Sequence, residues 1–277
     1  MENRNKDVMS FWDHLDVLKA AIVKSIAVAL LFAVVMFIFK DTLFDIILAP
    51  KQSDFITYRF LNALSEKISD SSLESFSVPL INTGLAQQFM IHIKAAVCVG
   101  FLLASPYILY QIYRFLSPAL YSNEKQYAFT VAGWGYVMFL IGMAVSYFLI
   151  FPLTFRFLGM YQVDSEVSNL ISLDSYISTL LVMCLSIGII FEIPVLSWLF
   201  AKLGFLSSSF MRNYRRHAIV AILIVAAVIT PTADAFTLFV VALPMYLLYE
   251  ASILIVARQE RKIGCPPQVP ENFQSAM

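Results

Sequence analysis

The sequence predicts an all-α integral membrane protein with six transmembrane helices, and three observations lead there. Hydrophobic residues make up 60% of the 277-residue chain and charged residues only 14%, against about 25% charged in an ordinary soluble domain. The apolar residues gather into six runs, at about 20–39, 88–112, 127–153, 174–201, 217–229 and 236–256, most of them long enough to cross a bilayer as helices. Lys and Arg are placed asymmetrically between the loops, with thirteen on one side and five on the other. Because basic residues in short loops resist translocation, both termini are assigned to the cytoplasm.

The segment before span one predicts a helix lying at the interface. Ser10 with Asp13 three residues on forms a capping box. Phe11, Trp12, Leu15 and Leu18 then alternate with Asp13, Asp16 and Lys19, which suits either a membrane anchor or a binding helix. Span one is too long for a signal-peptide core, and Lys40, Asp41, Thr42 and Leu43 do not resemble a cleavage site. The 40–87 loop is much the longest and holds Pro50, Pro79 and amphipathic pieces such as Phe60, Leu61, Leu64 and Ile68, so a small ordered extracytoplasmic cap is expected.

Span two carries Lys94 near its outer end, where snorkelling accounts for it as well as function does. The loop after it is aromatic and faces the cytoplasm. In it Pro118 turns the chain, and Ser122 or Asn123 can cap span three with Glu124 in the first turn. Span four contains Glu192 about nine residues from its inner end, roughly 14 Å deep. An ionised group there costs about 2.5–3.5 kcal/mol on insertion scales. It either accepts hydrogen bonds that fix helix packing or faces a functional cavity.

Span five is anomalous, since its 13 residues reach only roughly 20 Å against a hydrocarbon core of about 30 Å. The stretch Thr230, Pro231, Thr232, Ala233, Asp234 predicts a tight outer turn, joining short fifth and sixth spans in a helical hairpin. A cytoplasmic tail follows at 257–277. Pro106, Pro152, Pro194 and Pro244 fall inside or at the ends of spans, predicting kinked helices around a concave face. With no internal repeat, residues 1–277 are expected to form a single membrane domain.

Enzymatic chemistry finds no support. Neither a Gly-x-Ser-Gly setting nor a His-Glu-x-x-His helix occurs, and His14, His92 and His217 have no ligand spacing between them. Nine scattered glycines build no phosphate loop. Cys98, Cys184 and Cys265 suggest neither a disulfide framework nor a metal site. Net charge is zero and offers no argument for a nucleic-acid partner. No catalytic residue, metal or cofactor is expected.

Several motifs occur in order from about residue 10 to 256. They are His14-Leu15, Ser105-Pro106 with Tyr110-Gln111, the Phe115-to-Glu124 loop, Phe151-Pro152, Phe191-Glu192 with Pro194, Arg212 with Tyr214 and Arg215, Thr230-Pro231 with Asp234, and Pro244 leading to Leu248-Tyr249-Glu250. In these the chain resembles the TatC family, the signal-receptor subunit of the twin-arginine protein translocase. The resemblance implies a receptor for signal peptides carrying two adjacent arginines and the core subunit of a multimeric complex in the cell inner membrane, exporting folded proteins with the proton-motive force. It implies signal contacts at Phe115, Pro118, Leu120, Tyr121 and Glu124. A carboxylate suits that role, because a guanidinium forks onto it with two parallel donors and a lysine ammonium does not. Thr230 and Asp234 are implied contacts for TatA-type single-span partners and, where present, TatB. The resemblance also places Glu192 at a concave inner surface reached by water and lipid.

The first segment departs from the family pattern His-Leu-x-Glu-Leu-Arg, since Val17 stands where the family has a second signal-contacting glutamate. Asp13 lies about 40° around the helix from that position and Asp16 about 100°, so either could supply the carboxylate. A small-molecule or ion transporter would share the six spans, the prolines and Glu192. Against it stand the missing repeat and the polar residues gathered at the cytoplasmic rim.

Overall fold

The computed structural model describes residues 11–69, 78–116, 127–162, 164, 169–230 and 234–263. Among them, five helical stretches are long and apolar enough to cross a membrane, Leu15–Ile38, Gln87–Phe115, Val131–Met160, Leu173–Lys202 and Ala235–Arg261. The chain is a multi-pass helical membrane protein. It divides into two compact units, one of Met1–Leu43 with Phe89–Val137 and the other of Phe44–Gln88 with Met138–Met277.

The first unit is built on α1 (Phe11–Ile38) and α4 (Gln87–Leu116). The expected interfacial segment and span one are one continuous helix of 28 residues. The reason is local: no Gly or Pro occurs between Phe11 and Ile38 to end it. α1 and α4 meet where Gly100 lies against Ala33, so closely that a Cβ on Gly100 would stand 2.5 Å from the Ala33 amide nitrogen. Small residues allow such an approach, which gives helices in lipid their van der Waals contact. Phe37 then stacks on His92, with ring centroids 4.1 Å apart. Pro106 sits inside α4 and cannot donate to the carbonyl of Leu102. The Ser105 hydroxyl donates to that carbonyl instead, at 2.6 Å.

The segment expected to be a cap forms α2 (Lys40–Leu48), a 3₁₀ turn (Ala49–Lys51) and α3 (Ile56–Ser69). Three tyrosines and a threonine fasten it to the spans. The last carbonyls of α2 have no partner within their helix. Tyr147 donates to Ile46 O at 2.6 Å and Tyr176 to Ile47 O at 3.1 Å. The buried Tyr58 hydroxyl is shared between Pro50 O at 3.1 Å and Pro152 O at 3.0 Å. Thr57 donates to Phe148 O, the carbonyl left without its helical donor by Pro152. A two-residue parallel pair, β1 (Leu80–Ile81) with β2 (Ile171–Ser172), adds a β element to a fold expected to be all helix. Strands this short carry no readable period.

Span three comprises α5 (Tyr127–Val145), a π-helical turn at Ser146–Ile150 and α6 (Phe151–Met160). Asn169 closes α6 by donating to Gly159 O at 3.0 Å and Tyr161 O at 2.8 Å. Span four is α7 (Leu173–Ile190) and α8 (Ile193–Lys202), parted at Phe191 and Glu192 because Pro194 cannot continue the ladder. α8 ends at Gly204, whose φ of 79° is the left-handed conformation that a helix stop of this kind needs. α9 (Ser208–Asn213) follows, capped by Ser207, which accepts from Phe210 N at 3.1 Å.

The last two helices are α10 (Arg215–Ile229) and α11 (Ala235–Ile263), which pack on one another. α10 has 15 residues and so reaches about 22 Å, short of a bilayer core. The sixth helix, expected to be short, has 29 residues. Its apolar part ends near Ala257, and the added turns carry Arg258, Gln259, Glu260 and Arg261, a polar run that good helix formers keep helical.

Candidate functional site

The polar residues of interest lie in three places. The first is where α1 begins and α4 ends. Leu18 and Ile22 of α1 face Ile108, Gln111, Ile112 and Phe115 of α4 across an apolar cavity of about 540 Å³. Gln111, buried on its wall, donates to the Tyr107 hydroxyl at 2.6 Å. Phe115 is half-buried and Asp16 is exposed. Of the residues assigned to signal contact, Pro118, Leu120, Tyr121 and Glu124 lie outside the described residues, as does the side chain of Asp13. What the structure brings together around that cavity is Phe115, near the end of α4, and Leu18 and Ile22 of α1; Asp16 is not among the lining residues.

The second place is the bend at Glu192, which is buried. Its amide donates to Ile189 O at 3.1 Å, and its carbonyl accepts from Leu196 N at 2.9 Å. The neighbouring Phe191 packs on α5 so closely that a Cβ on Gly142 would stand 2.7 Å from Phe191 Cγ. Reciprocally, a Cβ on Gly188 would stand 2.9 Å from Phe139 Cε2. Two glycines each receive a phenylalanine from the facing helix, and the bend that carries Glu192 is fixed between them.

The third place joins α8, α9, α10 and α11. Arg215 and Glu250 form an ion pair at 2.7 Å, and Tyr246 donates to the other Glu250 oxygen at 3.1 Å. The Tyr249 hydroxyl donates to Met211 O at 2.8 Å, and Trp198 to Gln259 Oε1 at 3.1 Å. Glu260 accepts from the Ser208 hydroxyl and from Ser208 N, the latter at 2.8 Å. Beneath these contacts Ala201, Met211, Ile253 and Val256 make a small apolar core. At the opposite ends of α10 and α11, Thr230 is buried, and Asp234 accepts from Thr237 N at 2.8 Å as the cap of α11. Pro231, Thr232 and Ala233 lie outside the described residues.

Sequence reading did not find the hydroxyl contacts of Tyr58, Tyr147 and Tyr176, because no spacing in the chain announces a bond across about a hundred residues. The Arg215 and Glu250 pair had a weak signal, an arginine at the start of α10, one of three within five residues, and a glutamate within the apolar run of α11.

The family model "Sec-independent protein translocase protein (TatC)" matches residues 13–244. The TatC protein of Blattabacterium sp. subsp. Periplaneta americana is 32% identical over 256 residues, covering 90% of this chain and 96% of the relative. That of Aquifex aeolicus is 34% identical over 209 residues, covering 75% and 86%. A crystal structure described as the twin arginine translocase receptor TatC superposes with a TM-score of 0.71 at 31% identity, covering 89% of this chain and 99% of that one. Membrane spans, ordered motifs and a match over most of the length agree, and the chain belongs to the Sec-independent protein translocase protein TatC family.

Proposed function

We propose that this chain is the receptor for signal peptides carrying an arginine pair, and the core subunit of a complex that exports folded proteins across the cell inner membrane at the expense of the proton-motive force. The observation that carries the reading is the family match over residues 13–244, which takes in every motif assigned a role. Glu124 is the carboxylate that receives a signal arginine, with Phe115, Pro118, Leu120 and Tyr121 shaping the loop around it. Asp13 or Asp16 supplies the second carboxylate that Val17 does not. Phe115 shares the lining of one cavity with Leu18 and Ile22 of α1, which supports a joint surface made by that loop and that helix.

Both termini are cytoplasmic, and residues 1–277 work as one membrane domain. TatA-type single-span proteins, and TatB where present, dock along α10 and at Thr230 and Asp234. A helix of about 22 Å favours local thinning of the bilayer at that edge. Glu192 acts within the membrane during transport. The reading is tested by the export of a folded reporter behind an arginine-pair signal, in cells whose own receptor is replaced by this chain. Export that stops when the pair becomes two lysines, or when the proton gradient is collapsed, is the expected result. Export indifferent to both would overturn the proposal.

A further inference from the structure

α3 has two faces of different kinds. Thr57 and Tyr58 are buried against span three, and Leu61 follows one turn on. On the opposite side Ile56, Phe60, Ala63 and Lys67 form a stripe at helical spacing. All four are exposed, Ile56 at 65% and Phe60 at 67%. We propose that this stripe docks α3 on the lipid bilayer, with Ile56 and Phe60 among the acyl chains and the Lys67 ammonium at the headgroup phosphates. The inference rests on the membrane fold and not on the receptor reading.

Depth supports it. Leu61 shares the wall of a cavity with Phe157 and Phe236, and those two rings stack with centroids 4.3 Å apart. Phe236 stands about 32 Å along α11 from Ala257, where the apolar part of that helix ends. A hydrocarbon core is about 30 Å thick. Leu61 therefore lies at the level where α11 leaves the hydrocarbon, and the exposed stripe of α3 lies at the boundary between chains and headgroups. An amphipathic helix in that plane sinks its apolar side about 5–10 Å into the boundary.

The stripe also continues a surface that already faces lipid. Phe148, on the π-helical turn of span three, is 42% exposed. The Phe55 ring stacks on it with centroids 5.8 Å apart, and Thr57 donates to its carbonyl. Ile56 is the residue between these two contacts, so its side chain begins where the lipid-facing surface of span three stops. Charge fits the same level. Arg59 and Asp54 pair at 3.6 Å on the flank of α3, both widely exposed, as an ion pair among headgroups and water is. Lys67 ends the stripe, where its stem can lie along apolar surface while the ammonium meets a phosphate. A protein partner would have to cover α3 and span three as one surface, which the bilayer does already.

The test is spin-label accessibility in the full-length protein, reconstituted into vesicles of phosphatidylethanolamine and phosphatidylglycerol. Cys98, Cys184 and Cys265 are replaced by alanine, and a nitroxide is attached in turn to Ile56→Cys, Phe60→Cys and Glu66→Cys. Oxygen concentrates in acyl chains, and a nickel chelate stays in water. At positions 56 and 60 oxygen is expected to relax the label more than the chelate does, and at position 66, on the charged flank, the order is expected to reverse. Phe60→benzoylphenylalanine in the otherwise native chain asks the same question without touching the cysteines, and decides the matter if the cysteine-free protein does not fold. Its photoproduct should be a lipid adduct. Greater relaxation by the chelate at positions 56 and 60 would show a stripe facing water and overturn the proposal. Labels shielded from both reagents, or a photoproduct joined to protein, would show a protein cover and overturn it equally.

Discussion

Gly142 and Phe191 are in direct contact between α5 and the bend after α7: a single added carbon on Gly142 would come within 2.7 Å of the ring. The bend that holds Glu192 therefore depends on the absence of a side chain one helix away. Gly142→Ala is expected to displace Phe191 and destabilise the protein by about 1–3 kcal/mol. Gly133→Ala, where an added Cβ meets nothing within 4 Å, serves as the matched control and should cost nothing. Thermal unfolding in detergent compares the two, and an equal response from both would remove the contact from the account.

Tyr58 offers a pH-dependent test outside the spans. Burial raises its hydroxyl pKa above the ordinary value of 10.0, and the Arg156 charge opposes this more weakly. The unfolded chain then releases this proton at lower pH than the folded one, so Tyr58 contributes stability below pH 10 that is lost as pH climbs above it. Tyr58→Phe should cost about 1–3 kcal/mol at neutral pH, since two buried carbonyls lose their donor. It should also soften the alkaline decline. An alkaline limb of the same steepness in Tyr58→Phe would contradict the assignment.

Much of the fold was legible because bilayer physics writes itself into composition. An apolar run of 20 residues or more has few alternatives, and the runs at 88–112 and 174–201 became α4 and the pair α7 and α8. Of the four prolines expected to kink spans, Pro194 stands just after the break at Phe191 and Glu192, whereas α4 and α11 run on through Pro106 and Pro244. Contacts made across the fold were not legible. Nothing near Tyr147 shows that its hydroxyl closes the end of α2, and nothing near Gly100 shows that Ala33 rests on it. The charges before span one mark a change of environment and so suggest a separate interfacial helix, but a change of environment does not break a helix, and α1 runs unbroken from Phe11 to Ile38. The candidate site was legible by motif alone, with Phe115 described and Glu124 beyond the described residues.

The Arg215 and Glu250 pair ties the start of α10 to α11 and is partly exposed, at 46% and 27% for the two side chains. Exposure limits its worth to about 0.2–1 kcal/mol. Glu250→Arg should lower stability, and adding Arg215→Glu should recover most of the loss. A double-mutant cycle measures this directly. Strictly additive losses would show that the pair contributes nothing.

Glu192 is buried at a bend, and its proposed role separates from packing by isosteric change. Glu192→Gln keeps the shape and the acceptor while removing the titratable charge. Reduced export with undiminished signal binding is expected, measured by reporter transport and peptide cross-linking on the same membranes. If Glu192→Gln and Glu192→Leu both export at the normal rate, the residue only packs.

The central claim, that this protein reads an arginine pair, rests on Glu124. The most direct measurement is the affinity of an arginine-pair signal peptide, and of its lysine-pair counterpart, for membranes carrying the native protein or Glu124→Gln. Loss of a bidentate, charge-assisted contact is worth about 1.5–3 kcal/mol, so Glu124→Gln should bind the arginine pair roughly 10- to 100-fold more weakly. The variant should no longer separate it from the lysine pair. Undiminished and still arginine-selective binding by a well-inserted Glu124→Gln protein would contradict the account.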